Sequence, residues 1–168
     1  MVSTNSQYEN SQQNKFTINF LKVGCLGIFT IDLQSMITIK SLDKTHSSDV
    51  VKILIDSFSN NYDREINDSI FSSDEVDGIV ALENEIVVGY ASIHYLKKIT
   101  RKSGIIEDVV VKENQRGKGI GKLLVKNLIE KAKQNNCDKI ILSSSEKNLK
   151  FYQKLGFKKN EFEMIMRI

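Results

Sequence analysis

Gln115-Arg116-Gly117-Lys118-Gly119-Ile120-Gly121-Lys122 is the stretch on which the reading of this 168-residue chain turns. Three glycines in five positions let the backbone come close to a ligand, because a residue without Cβ enters the left-handed region freely. An apolar helical period starts at once, with Ile120, Leu123, Leu124, Leu128, Ile129 and Ala132 recurring on one face. The unpaired N–H groups and positive dipole end of that helix therefore point back at the loop. Arg116, Lys118 and Lys122 add charge, and no carboxylate interrupts them. The chemistry is that of a phosphate or pyrophosphate cradle; the plain alternative is a glycine-rich turn capping an exposed helix. Two familiar loops fail on spacing. A nucleotide P-loop would need glycine at 116 and Ser or Thr at 123, where the chain has Arg116 and Leu123. The dinucleotide fingerprint would need a third glycine at 122, which is Lys122. An Arg-x-x-Gly-x-Gly pattern does match, at Arg116, Gly119 and Gly121.

Outward from the loop, residues 105–111 (IIEDVVV) read as a strand running into it. Before that, 78–82 and 86–95 form two strands around the turn Glu83-Asn84-Glu85, and MITIK from Met36 is a short alternating strand. Residues 47–60 have helical spacing at Val50, Val51, Leu54, Ile55 and Phe58, with Ser47 or Ser48 as cap. After the loop helix, 139–142 reads as a short strand of buried type. Ser143 and Glu146 have capping-box spacing for a helix through Leu155. Gly156 is a natural stop, and 161–168 reads as a last strand. The fold class is mixed α/β (α+β), with a central, mostly antiparallel sheet flanked by helices.

Composition narrows the function. Twenty-four basic against 21 acidic residues leave a net charge of +3, which admits an anionic ligand without the dense basic footprint of nucleic-acid binding. Two cysteines, Cys25 and Cys137, make no disulfide framework and have no partner at zinc-ligand spacing; both read as buried reduced thiols, and no metal is expected. His46 reads as a cap or surface residue and His94 as structural. Nine of the first fourteen residues are Ser, Asn or Gln, which predicts a tail without a core. The apolar run 16–31 is broken by Lys22 and falls short of the ~20 residues of a membrane span. The expectation is a cytoplasmic protein without membrane contact, with an undefined extension over 1–35 and one domain over 36–168.

Residues 36–168 resemble the GNAT superfamily of N-acetyltransferases, in which this loop grips the pyrophosphate of acetyl-CoA. The segment from Cys137 to Phe157, with Asn148, Phe151, Tyr152 and Leu155-Gly156-Phe157, is similar to the family's second acetyl-CoA segment. Gly104-Ile105-Ile106-Glu107-Asp108 resembles the Gly-His-Ile-Glu-Asp strand of the eukaryotic glucosamine-6-phosphate N-acetyltransferases, with Ile105 in place of the histidine. Ser143-Ser144-Ser145 stands where those enzymes often carry an acidic residue.

The resemblance implies acetyl-CoA as co-substrate, held by Val109, Val110, Val111, Arg116, Gly117, Lys118, Gly119, Ile120, Gly121, Lys122, Asn148, Phe151 and Tyr152. It implies Tyr152 as the acid that protonates the leaving thiolate, a role suited to a phenol of pKa ~10. Glu107 would relay the amine's proton, with Asp108 also on the substrate side. Neighbours in a strand face opposite sides, so both reach one pocket only if a bulge intervenes. Lys97, Lys98 and Arg101 form either a sugar-phosphate site or a solvated charge run. Arg167 resembles a substrate-binding arginine that can arrive from a partner subunit, which implies a homodimer. The expected reaction is acetylation of an aminosugar phosphate, glucosamine 6-phosphate, for UDP-N-acetylglucosamine synthesis. The alternatives are a protein N-terminus, lysine or polyamine as acceptor, or a non-catalytic acetyl-CoA-binding module.

Overall fold

The computed structural model describes residues 36–58, 66–160 and 163–166. The readings of 1–35, of Cys25 and of Arg167 lie outside the described residues. Five strands form one sheet in chain order: β1 (Ile37–Ser41), β2 (Val76–Glu83), β3 (Ile86–Lys97), β4 (Lys102–Val111) and β5 (Lys139–Leu142). The first four pair antiparallel and β5 joins β4 in parallel, as a crossover through a helix requires. β2 and β3 meet at a two-residue turn, one residue shorter than the sequence suggests. Asn84 and Glu85 are both left-handed there (φ 51° and 63°), which gives the hairpin turn the hand of the strand twist.

Helix α1 (Ser47–Phe58) covers one face of the sheet, burying Val50 and Ile53 against Val80, Leu82, Val87, Tyr90 and Val110. Its cap is neither Ser47 nor Ser48. A 3-10 turn over Lys44–His46 leads in, with Asp43 accepting from the Thr45 N–H at 2.8 Å and His46 Nδ1 accepting from the Asp43 N–H at 3.3 Å. Ile55 and Phe58, read as part of the apolar face, are exposed, while Ile53 does the packing.

Helix α2 (Ile120–Gln134) covers the opposite face with Ile120, Leu124, Val125, Leu128 and Ala132, all 1% exposed or less. Leu123 is displaced from that face and exposed, because one residue is a 100° rotation and Val125 fills the other flank. β5 is half-buried rather than buried, since no described strand covers its outer edge. The expected capped helix through Leu155 is a 3-10 turn over Glu146–Asn148 followed by a five-residue α3 (Leu149–Gln153). Ser145 rather than Ser143 precedes that turn, without a side-chain cap. Gly156 closes the segment at φ 97°. Of the last predicted strand, the described residues 163–166 form none.

Candidate active site

Register between β3 and β4 decides what Glu107 and Asp108 can do. Tyr90 pairs with Val110 and Ser92 with Glu107, so two steps on β3 meet three on β4. That is a β-bulge with Asp108 inside it, at a left-handed φ of 53°. The extra residue resets the alternation. Glu107 stays on the α1 side, opposite Ser92, and Asp108 is carried to where its charge bears on Tyr90, a residue of that same side. Both carboxylates thus face one region, the condition that the spacing alone left open.

Both carboxyls are held above their ordinary range. Both residues keep exposed surface, and partial burial of the carboxyls is the main cause for each; for Glu107 the neighbouring charges of Asp108 and Glu163 add to it, while His94 pulls both back. A raised carboxyl keeps its proton in the folded chain longer than in the unfolded one. Stability on this account is therefore fully present below the ordinary pKa and is lost as pH rises through the raised value. Asp108→Asn, whose side chain tolerates the left-handed backbone, is expected to raise the thermal midpoint at pH 7, with the gain shrinking toward pH 4. Thermal scans at the two pH values check this; a lower midpoint at pH 7 would show that the carboxylate stabilises the fold.

The far edge of β4 is open at the same level. β5 pairs with residues 103–106 only, so no described strand follows residues 107–111 on that side. The Lys112 N–H bonds back to the Val88 carbonyl at 2.9 Å. Alternation along the strand then turns the N–H groups of Val111 and Val109 toward the open edge, with Val110 facing β3. A rod-shaped ligand carrying amide groups can continue the sheet there.

The glycine loop stands at the end of this opening. Gly117 and Gly119 are both left-handed at φ 82°, a conformation costing about 1–2 kcal/mol for a residue with Cβ. No side chain caps α2, whose first internal bond is Leu123 N–H to the Gly119 carbonyl at 3.1 Å. The N–H groups of Ile120, Gly121 and Lys122 are therefore directed out of the helix start toward the loop. Arg116 Nε bonds to the Val111 carbonyl at 3.2 Å, fastening the loop to the end of β4. Lys118 bonds to Gln115, whose amide in turn donates to Glu83 at 2.6 Å. Lys122 is exposed on the first turn of α2.

On the other side of the opening, the Phe151 ring lies 3.5 Å from where a Cβ on Gly121 would stand, with Val111 at 3.8 Å from the same point. Tyr152 is half-buried beside it, edge-to-face with Phe151 (4.9 Å) and Phe157 (6.0 Å). Burial pushes its phenol up, which keeps it protonated at neutral pH. Asn148 precedes α3 without using its side chain as a cap. Lys97 is tied to Asp74 and Glu75, both at 3.4 Å, and the Lys98 N–H closes the hairpin onto the Arg101 carbonyl. A cavity of about 480 Å³ is lined by Ile53, Asp56 and Ser57 of α1 and by Lys112, Glu113, Asn114 and Arg116 after β4; Glu107 and Asp108 are not part of its lining. The chemistry gathers on the open face and edge of β4 instead.

No sequence motif singles out Tyr90 or Ser92, and His94 reads from the sequence as structural. Ser92 Oγ lies 3.5 Å from His94 Nε2 and 3.5 Å from the Glu107 carbonyl oxygen. The available signal was period two: positions 90, 92 and 94 carry polar groups in an otherwise apolar strand.

Among the described residues no helix is long and apolar enough to cross a membrane, and no cluster of His, Cys, Asp and Glu could hold a metal ion.

Comparison with known proteins gives three findings. Residues 47–157 match the model of the acetyltransferase (GNAT) family. The chain is 48% identical over 81 residues to glucosamine 6-phosphate N-acetyltransferase of Trypanosoma brucei brucei, covering 46% of this chain and 55% of that protein. It is 38% identical over 90 residues to the Candida albicans enzyme of the same name, covering 54% and 58%. The matches thus span little more than half the length of these curated relatives. The crystal structure of the Arabidopsis thaliana glucosamine-6-phosphate N-acetyltransferase superposes with a TM-score of 0.69 at 26% identity, over 79% of this chain and 98% of that one.

Proposed function

Since the chain belongs to the acetyltransferase (GNAT) family, we propose that it moves the acetyl group of acetyl-CoA onto the amine of D-glucosamine 6-phosphate. The observation that carries this reading is the bulge at Asp108, by which two carboxylates share one face where β5 leaves β4 open. The acceptor class follows from the curated relatives and from the Glu107-Asp108-Val109-Val110-Val111 run.

Acetyl-CoA, which the N–H groups at the start of α2 and the open edge of β4 would hold, supplies an activated acyl thioester. Glu107 and Asp108 receive the sugar ammonium as a paired negative site. A raised carboxyl is the better base for an ammonium, because its pKa lies nearer that of the group it must deprotonate. Glu107 takes the amine's proton and leaves a neutral nucleophile. The outward N–H of Val109 or Val111 faces the carbonyl oxygen as charge develops on it. Tyr152, protonated by virtue of its burial, gives its proton to the departing sulfur. Lys98 and Arg167 supply cations for the sugar phosphate, with Lys97 joining them on release from Asp74 and Glu75, and Arg167 arrives from a second copy in a homodimer. With Ser143-Ser144-Ser145 in place of an acid, Glu107 and Asp108 alone polarise the amine.

The test is thiol release from acetyl-CoA by the full chain with glucosamine 6-phosphate, glucosamine, spermidine or a lysine peptide. Glucosamine 6-phosphate is expected to be turned over best, with glucosamine weakened mainly in KM. Activity confined to the peptide or polyamine would overturn the acceptor, and acetyl-CoA binding without turnover of any amine would leave a binding module.

A further inference from the structure

The glycine loop holds no carboxylate of its own, yet the fold brings one to it from 32 residues away. Glu83 ends β2, just before the left-handed turn at Asn84 and Glu85. Its side chain is only 16% exposed, and its Oε2 accepts from Gln115 Nε2 at 2.6 Å. Gln115 Oε1 accepts in turn from Lys118 Nζ at 2.5 Å, and that ammonium lies 3.9 Å from Glu83 Oε1. The direction of the chain is forced. A carboxylate only accepts and an ammonium only donates, so the amide between them turns its nitrogen to Glu83 and its oxygen to Lys118. Lys118 sits between Gly117 and Gly119, both left-handed, and a Cβ at either glycine would meet nothing within 4 Å. Packing therefore does not hold the backbone at those glycines, whose freedom is the costliest to lose. Arg116 ties the loop to the end of β4, and Glu83 ties it to the end of β2.

We infer that Glu83 is a positioning residue for the coenzyme's pyrophosphate, acting through Gln115 and Lys118 to set the loop before the ligand arrives. This role rests on the proposed acetyl-CoA site. A carboxylate so near an anion site has two opposed effects. Its charge repels the pyrophosphate, while its hydrogen bond restricts the loop and reduces the ordering that binding must otherwise impose. Geometry decides between them. The bond to Gln115 is short and charge-assisted, which is the stronger class of hydrogen bond. The charge of Glu83 is offset by the Lys118 ammonium at 3.9 Å. Lys118 is itself half exposed, and an ammonium has donors to spare for a phosphate oxygen beyond the one given to Gln115. Positioning outweighs repulsion.

The experiment measures acetyl-CoA binding by calorimetry, without any amine, for the full chain and for Glu83→Ala, Glu83→Gln, Gln115→Ala and the double alanine variant. Glu83→Ala and Gln115→Ala are each expected to raise Kd about ten-fold, the order of a lost preorganising contact. The double variant should bind no more weakly than either single one, since both cut the same chain of bonds. Glu83→Gln keeps an oxygen for the Gln115 N–H and should bind within about two-fold of the unaltered chain. S-acetylpantetheine, the same thioester without the pyrophosphate, should bind all of them alike. Tighter acetyl-CoA binding in Glu83→Ala and Glu83→Gln would overturn the role, because repulsion would then dominate. Additive losses in the double variant, or an equal loss for S-acetylpantetheine, would overturn it as well. Should Glu83→Ala fail to fold, Gln115→Ala and Glu83→Gln decide. The expected binding pattern without turnover of any amine in the thiol-release assay would overturn the acetylation and leave the positioning role in place. No acetyl-CoA binding by the unaltered chain would remove both.

Discussion

Tyr152→Phe is expected to lower kcat about 10²-fold while leaving the KM for acetyl-CoA within two-fold, roughly the low end for loss of a general acid. The substitution removes one oxygen and keeps the ring, so the edge-to-face contacts with Phe151 and Phe157 persist. Thermal stability should not change, which separates a chemical effect from a packing one. Because burial raises the phenol above its ordinary value, the activity of the unaltered chain should show no alkaline limb from this group below about pH 10. Steady-state kinetics with both substrates, joined to acetyl-CoA binding by calorimetry, read the effect. An unchanged kcat would mean that water protonates the sulfur, and Tyr152 would be left as a packing residue of α3.

Leu124→Ala should cost about 3 kcal/mol of folding stability, within the range of large-to-small core substitutions. Leu124 is fully buried on α2, and its Cδ1 would stand 3.2 Å from a Cβ on Gly89. Gly89 on β3 has no side chain with which to fill the gap, so the cavity would stay open. At this chain length that loss amounts to a drop of roughly 6–12 °C in the thermal midpoint. Denaturant unfolding should show a lower midpoint at an unchanged slope. A loss below about 1 kcal/mol would show that α2 shifts toward the sheet to close the space, and would bring a rise in the KM for acetyl-CoA, because the same helix presents its N-terminus to the loop.

Much of this architecture is legible residue by residue. The glycine loop and the helix after it are local features, set by backbone freedom at Gly117 and Gly119 and by a 3.6-residue apolar period. The strands of the hairpin announce themselves as continuous apolar, β-branched runs on either side of Asn84. Local reading misleads where a side chain has rivals for its place. Val125 rather than Leu123 lines the inner face of α2, because a stripe more than 100° wide leaves its flanks to the shape of the sheet beneath. Ser143 has capping-box spacing with Glu146, yet the turn begins at Ser145 and uses no side-chain cap. Spacing can nominate a cap; the entry angle of the chain chooses it.

The candidate site divides in the same way. Tyr152, Glu107 and Asp108 can be picked from the sequence as polar groups in apolar surroundings, but whether the two carboxylates cooperate cannot. That depends on the register of β4 against β3, a relation between residues fifteen apart, where a single extra residue reverses the face of everything beyond it.

The sequence by itself determined the family, the glycine loop and the order of the elements, because these rest on backbone freedom, hydrophobic period and ordered motifs within one stretch of chain. The tertiary structure alone decided that Glu107 and Asp108 share one face and that β4 is open beside them. Those are facts of pairing between strands, and pairing energy is shared across the sheet rather than written at any one residue.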